Sequence, residues 1–114
     1  MADGKAWQRV PVELPTEGST RGFSLGDCNL LLCNVSGTAY VIADRCSHAN
    51  APLARGRLTG HVLECPLHGG KIDVRDGSPV SQPIRKRVAT YATRTSNGAV
   101  EVSLEREQQE TDNA

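Results

Sequence analysis

The sequence predicts an all-β chain, a β-sandwich or open barrel whose strands are interrupted by an inserted, loop-rich subdomain. Three observations carry that expectation. The apolar residues recur with a period near two in short, turn-punctuated segments, and no helical or heptad period is sustained. Paired turn residues, Ser36-Gly37, Asp76-Gly77 and Asn97-Gly98, separate those segments. The stretch 45–83 has a different composition, holding all three histidines and four of the six prolines. Loops of that length in a small chain usually carry function.

Taken in order, strands are expected over residues 8–14, 29–35, 39–43, 62–64, 71–74, 88–95 and 99–104. A short helix is expected over 21–26. Asn97-Gly98 joins two alternating segments and is a two-residue hairpin signal, because both central positions of such a turn need positive φ. The base is expected over 1–44 and 85–106, and the inserted subdomain over 45–84, all within a single domain spanning 1–106. Residues 107–114, EQQETDNA, are expected to form a flexible polar tail.

The chain has 114 residues, with 38% apolar and only 4% aromatic residues. One small core is possible, built with few large rings (Trp7, Phe23, Tyr40, Tyr91), and a chain this size often needs a metal or disulfide staple. Zero net charge argues against a nucleic-acid binder. The charge is uneven, however. Residues 1–44 sum to −2, residues 45–94 to +6 and residues 95–114 to −4. No apolar run is long enough for a membrane span or a signal peptide, so the expected location is cytoplasmic, without membrane association. Thiols stay reduced there, and four cysteines point to metal binding or packing before disulfides.

The chemistry concentrates in Cys46-Ser47-His48 and, after sixteen residues, Cys65-Pro66-Leu67-His68. If the two loops lie side by side, two thiolates and two imidazoles converge. Three readings are open. The first is a two-iron, two-sulfide cluster with Cys46 and Cys65 on one iron and His48 and His68 on the other. The second is a structural Cys2His2 zinc site. The third is two packed cysteines with two surface histidines. A single residue between Cys46 and His48 suits two adjacent metal atoms better than one.

Cys28 and Cys33 are a tempting second pair. Along an extended segment they are about 16 Å apart, beyond disulfide reach, and they fall on opposite faces. Cys33 shares parity with Leu31 and Val35 and is expected in the core. His61 follows Gly60 at a turn and is expected to be solvated rather than a ligand.

Residues 46–53, CSHANAPL, and 65–70, CPLHGG, resemble the two cluster-binding loops of the Rieske family. The following KIDVRDGSPVSQP resembles the family's third, proline-bearing loop, which lies over the cluster. The resemblance runs over about residues 7–104 and is to the small Rieske ferredoxins of bacterial aromatic-ring dioxygenase systems. It implies the Rieske fold, one 2Fe–2S cluster on Cys46, His48, Cys65 and His68, and electron transport in aromatic hydrocarbon catabolism. The implied partners are a flavin-containing, NADH-dependent ferredoxin reductase and a terminal oxygenase. The respiratory branch has a disulfide-forming cysteine in each loop and a serine that donates to a bridging sulfide. Here those places are held by Ala51, Leu67 and Gly70. Fewer hydrogen bonds to sulfur imply a potential near the low end of the family range, about −150 mV.

Further expectations follow. Gly69 and Gly70 should let backbone amides approach the sulfides. Pro52 and Pro66 should stiffen the loops. Leu53, Leu67 and Pro83 should shield the cluster or pack the loops. An oxygenase active site is excluded by counting: a facial triad needs two histidines, and only His61 is left over. No G-x-G-x-x-G fingerprint is present either. The chain is therefore expected to be an electron carrier, not an enzyme by itself. It should be a monomer that docks transiently through a His48/His68 tip, with interfaces below about 1,200 Å². Outer imidazole nitrogens at that tip should make the potential fall as pH rises. The rival acceptors are a nitrite reductase or a monooxygenase, and the rival class is a zinc-stabilised β binding module.

Overall fold

The computed structural model describes residues 6–45, 52–66, 69–82, 84 and 86–106, and for 105 and 106 the backbone only. Among the described residues, ten strands form two antiparallel sheets and there is no helix. The larger sheet is built from β1 (Trp7–Arg9), β2 (Thr20–Leu25), β3 (Cys28–Val35), β4 (Thr38–Ala43), β9 (Thr90–Ser96) and β10 (Ala99–Arg106), in the order β1-β10-β9-β4-β3-β2. The smaller is β5 (Arg57–Thr59), β6 (Val62–Glu64), β7 (Lys71–Asp73) and β8 (Pro79–Ser81), in sequence order. It is made wholly from the chain between β4 and β9.

The alternation of the sequence sorts the core. β3 is buried on both faces: Leu30 and Leu32 point into one apolar cluster, and Leu31 and Cys33 into the other. On β4, Val41 and Ile42 divide the same way. The first cluster lies within the curl of the six-stranded sheet and gathers Val10, Phe23, Val100 and Val102. The second lies between the sheets. It joins Leu31, Cys33 and Ile42 to Leu58, Leu63, Ile72 and Val74, with Leu53, Cys65, Ile84 and Val88 from the loops. Each fully buried aliphatic side chain contributes about 1.5–3 kcal/mol, so two layered clusters compensate for the scarcity of rings.

Two hairpin turns follow the rule read from the sequence. Ser36-Gly37 has φ of 52° and 91°, and Asn97-Gly98 has 53° and 79°. Other expectations are corrected. Residues 21–25 are strand and Gly26 begins the following turn, in place of the expected helix: Phe23 alone is buried in this stretch, and β2 pairs along its length with β3. The strand expected over 8–14 stops at Arg9, because Pro11 has no N–H for the ladder. Val12 and Leu14 still pack on the inner cluster. β5 and β8 were not expected. They are three-residue edge strands, and Pro79 is tolerated because β8 has a neighbour on one side only.

Cys28 and Cys33 sit on opposite faces of β3 and form no disulfide. Burial, reinforced by the Asp44 charge, pushes the Cys33 thiol up to about 12, so it is a packing residue. The 107–114 segment lies outside the described residues. No helix among the described residues is long and apolar enough to cross a membrane.

Candidate metal centre

Two connections leave the inner ends of β4 and β6, and they meet. The first departs after Ala43. Asp44 donates its N–H to the Asn29 carbonyl (3.0 Å), and its Oδ1 accepts the N–H of Leu53 (2.7 Å). One carboxylate thus ties the outgoing limb to the returning limb of the loop bearing Cys46 and His48. Both of those residues lie outside the described residues, as does Ala51. Leu53 is fully buried in the inter-sheet cluster, while Pro52 is exposed.

The second connection runs from β6 to β7. The Cys65 N–H donates to the Gly70 carbonyl (2.7 Å), and the Gly69 N–H donates to the Cys65 carbonyl (3.1 Å). The loop is therefore closed across its base by its own backbone. Cys65 is 2% exposed and belongs to the same cluster as Leu53, Leu58 and Leu63. Leu67 and His68 lie outside the described residues. Gly69 has a φ of +75°, a conformation that L side chains rarely adopt. The positive φ gives a backbone reason for glycine at 69, and its N–H is directed at the Cys65 carbonyl.

The two connections are pressed together at Gly56. A side chain there would collide with the Glu64 carbonyl oxygen and crowd that of Leu53. Gly56 also donates its N–H to Leu53 (2.9 Å). The returning limb of the first loop thus lies backbone-to-backbone on the residue preceding Cys65. Sequence reasoning missed Gly56 and Asp44. Gly56 could have been flagged as a lone glycine between two arginines. Asp44 carries no sequence signal beyond being an aspartate at a strand end.

The third loop is braced separately. Asp76 Oδ1 accepts both the N–H (2.9 Å) and the hydroxyl (2.7 Å) of Ser78. Gly77, at φ +78°, donates to Asp73 (2.7 Å) and accepts from Val88 (2.9 Å). Pro83 lies outside the described residues; Ile84 beside it is buried.

His61 is not simply solvated. Its side chain is 41% exposed, yet Nδ1 is enclosed 3.2 Å from Asp73 Oδ2 without a well-directed hydrogen bond. Asp73 is held chiefly by Arg75, whose Nε (3.0 Å) and NH2 group (2.8 Å) grip its two oxygens. That side-chain hydrogen bonding keeps the Asp73 carboxyl below its ordinary pKa, against the opposing effect of burial. This cluster stands at the β5–β6 turn, at the opposite end of β6 from Cys65.

Of the four residues expected to hold metal, the described residues include Cys65 alone. What they show fits an iron–sulfur centre. A thiol shielded from water by aliphatic side chains is presented on a backbone-closed turn, and a second connection with soft and imidazole donors is anchored against it. Thiolate and imidazole are also the donor types such a centre takes.

Comparison with known proteins agrees. The family described as the Rieske [2Fe-2S] domain matches residues 7–92. A naphthalene 1,2-dioxygenase system ferredoxin component of Pseudomonas putida is 33% identical over 88 residues, covering 77% of this chain and 85% of that protein. The complex of reduced oxygenase and oxidized ferredoxin in carbazole 1,9a-dioxygenase contains a similar chain. Its TM-score is 0.83 at 30% identity, covering 91% of this chain and 98% of that one. The ferredoxin of carbazole 1,9a-dioxygenase from Nocardioides aromaticivorans IC177 gives a TM-score of 0.79 at 29% identity, covering 84% and 95%.

Proposed function

This chain belongs to the Rieske [2Fe-2S] domain family and holds one Rieske-type cluster, and from that premise we propose that it is the one-electron carrier of an aromatic-ring dioxygenase system. It accepts electrons from an NADH-dependent flavin reductase and delivers them to the terminal oxygenase. The observation that carries this is coverage. Stand-alone ferredoxin components are matched over almost their whole length, and one of them has been solved together with its oxygenase.

Cys46 and Cys65 would hold one iron, and His48 and His68 the other. When bound, the cluster supplies a reversible one-electron couple. The chain's residues do the rest. Asp44 closes the first loop, and the Cys65–Gly70 backbone pair closes the second. Leu53, Leu58 and Leu63 keep water from the Cys65 sulfur. Gly70 has no hydroxyl to give a sulfide, so the reduced state is less stabilised than where a serine donates. The potential is expected near the bottom of the Rieske range, about −150 mV.

The division of labour is a base of 1–44 and 85–106 and a cluster-binding subdomain of 45–84. The protein acts as a cytoplasmic monomer, since a shuttle needs a free tip and small, transient interfaces. It is a component of the oxygenase system, with no catalysis of its own. Reconstitution tests this. NADH-driven hydroxylation by reductase and terminal oxygenase should depend on this chain, with an apparent potential well below +100 mV. Full turnover without it, or electron delivery only to a nitrite reductase, overturns the reading.

A further inference from the structure

The outer face of the four-stranded sheet carries a charge pattern that the carrier role does not by itself require. Directly paired residues on neighbouring strands point to the same side of a sheet. Leu58, Leu63 and Ile72 form one such row and are buried against the base. The next row toward the cluster loops, Arg57, Glu64, Lys71 and Ser81, must therefore face outward. Arg57 and Lys71 are exposed, as is Arg55 just before β5. Among the described residues, none of the three cations has an ion-pair partner.

At the far end of the same face lies Thr59–Val62–Asp73. Its one acid, Asp73, is neutralised by Arg75 at 2.8 Å, with His61 beside it. The sheet is thus electrically quiet away from the loops and positive along the rim of the second loop. At that rim the surface is notched. A concavity of about 470 Å³ is lined by Arg55, Arg57, Glu64 and Gly69, with Cys65 in its wall.

We propose that this rim, with Arg55 and Arg57 lining the notch beside Cys65 and Lys71 in the same outward row, is the docking strip for a carboxylate-bearing surface of the terminal oxygenase. The inference rests on the carrier reading above and adds to it the chemistry of the partner. A formal net charge of zero excludes a general attraction to anions, so any steering must come from a local patch. Arg55 and Arg57 line the notch and Lys71 stands in the same outward row, three cations against the one Glu64 carboxylate between Arg57 and Lys71, and a local excess of charge of this kind raises encounter rates in a salt-dependent way.

Small ionic oxidants read this patch without needing the native partner. Reduced holoprotein is mixed with hexacyanoferrate(III), an anion, and with tris(phenanthroline)cobalt(III), a cation. Each takes one electron and leaves the cluster oxidised. The anion's second-order rate should fall as ionic strength rises, and the cation's should not. The double variant Arg55→Glu/Arg57→Glu should lower the anion's low-salt rate about tenfold and reverse the sign of its salt dependence. Arg9→Glu, at the opposite hairpin end of the base, should leave that sign unchanged. Hexaglutamate should slow the anionic oxidant with the native chain and not with the double variant.

A flat or rising salt dependence for the anion in the native chain, or a double variant that tracks it, overturns the proposal. Failure of the carrier reading looks different. In that case a cluster with normal Rieske absorption and electron paramagnetic resonance would show the salt pattern above and still reduce no oxygenase.

Discussion

Strands of the six-stranded sheet reach eight residues in β3 and β10, whereas all four strands of the smaller sheet are three residues long. The larger sheet is held by ladder bonds and by apolar side chains on both faces of β3 and β4. In the smaller sheet much of the order comes from elsewhere: a carboxylate across a loop base, an Asx turn at Asp76, and glycines where backbone presses on backbone. The difference teaches where a small electron carrier places its rigidity. The base folds on burial. On the reading proposed above, the metal-bearing part is a set of short connections, and a bound centre would complete it.

The most severe challenge to that contrast is Cys65→Ser. It should abolish the cluster, read as loss of visible absorption, iron and acid-labile sulfide. Hydrogen exchange should then show amides of β5 to β8 losing protection while those of β3 and β4 keep theirs. Equal loss in both sheets would break the comparison. A matched pair of cavities sharpens it next. Leu32→Ala and Leu63→Ala should each cost about 3 kcal/mol in denaturant unfolding. Only Leu63→Ala, in the inter-sheet cluster with Cys65, should also release iron below the global midpoint.

Removing the loop tie should have a smaller effect. Asp44→Ala strands the Leu53 N–H and should cost about 2 kcal/mol. It should also speed Leu53 exchange and shorten the lifetime of the cluster, with Asp44→Asn intermediate because its amide oxygen can still accept. The smallest change is expected at Asp73. Arg75 holds its carboxyl low, so its contribution is present above the unfolded carboxyl pKa of about 3.9 and is lost as pH falls through the lower folded value. Asp73→Asn should cost about 1 kcal/mol at neutral pH and flatten that part of the acid limb of a stability-versus-pH curve.

Much of the base, and β6 of the smaller sheet, was legible because period-two alternation and two-residue turns are local signals. β3, β4, β6 and the β9–β10 hairpin fall where the pattern puts them. β2 was misread because Arg21, Gly22 and Ser24 are exposed and only Phe23 is buried, so no alternation of apolar residues announces it. β5 and β8 escaped because Arg57-Leu58-Thr59 has a single apolar residue and Pro79-Val80-Ser81 opens on a proline, so neither stands out as a strand. At the candidate site the donor residues stand out by type and spacing. The residues that position them do not, since Asp44 and Gly56 act through backbone groups brought close only by the fold. The reason for glycine at 69 was likewise hidden, because the engagement of its amide by Cys65 is a property of the closed turn.

The exit and re-entry points of the inserted chain lie side by side. Ala43 donates to Ala89 (2.9 Å), and β4 meets β9 through Val41–Tyr91 and Ile42–Thr90. The base is therefore spliceable: a short turn joining these stems would leave its strand order intact, and a foreign loop of any length could be grafted there without re-registering a strand. The graft would inherit one obligation. It must roof Leu31, Cys33 and Ile42, which would otherwise become a bare oily patch inviting self-association.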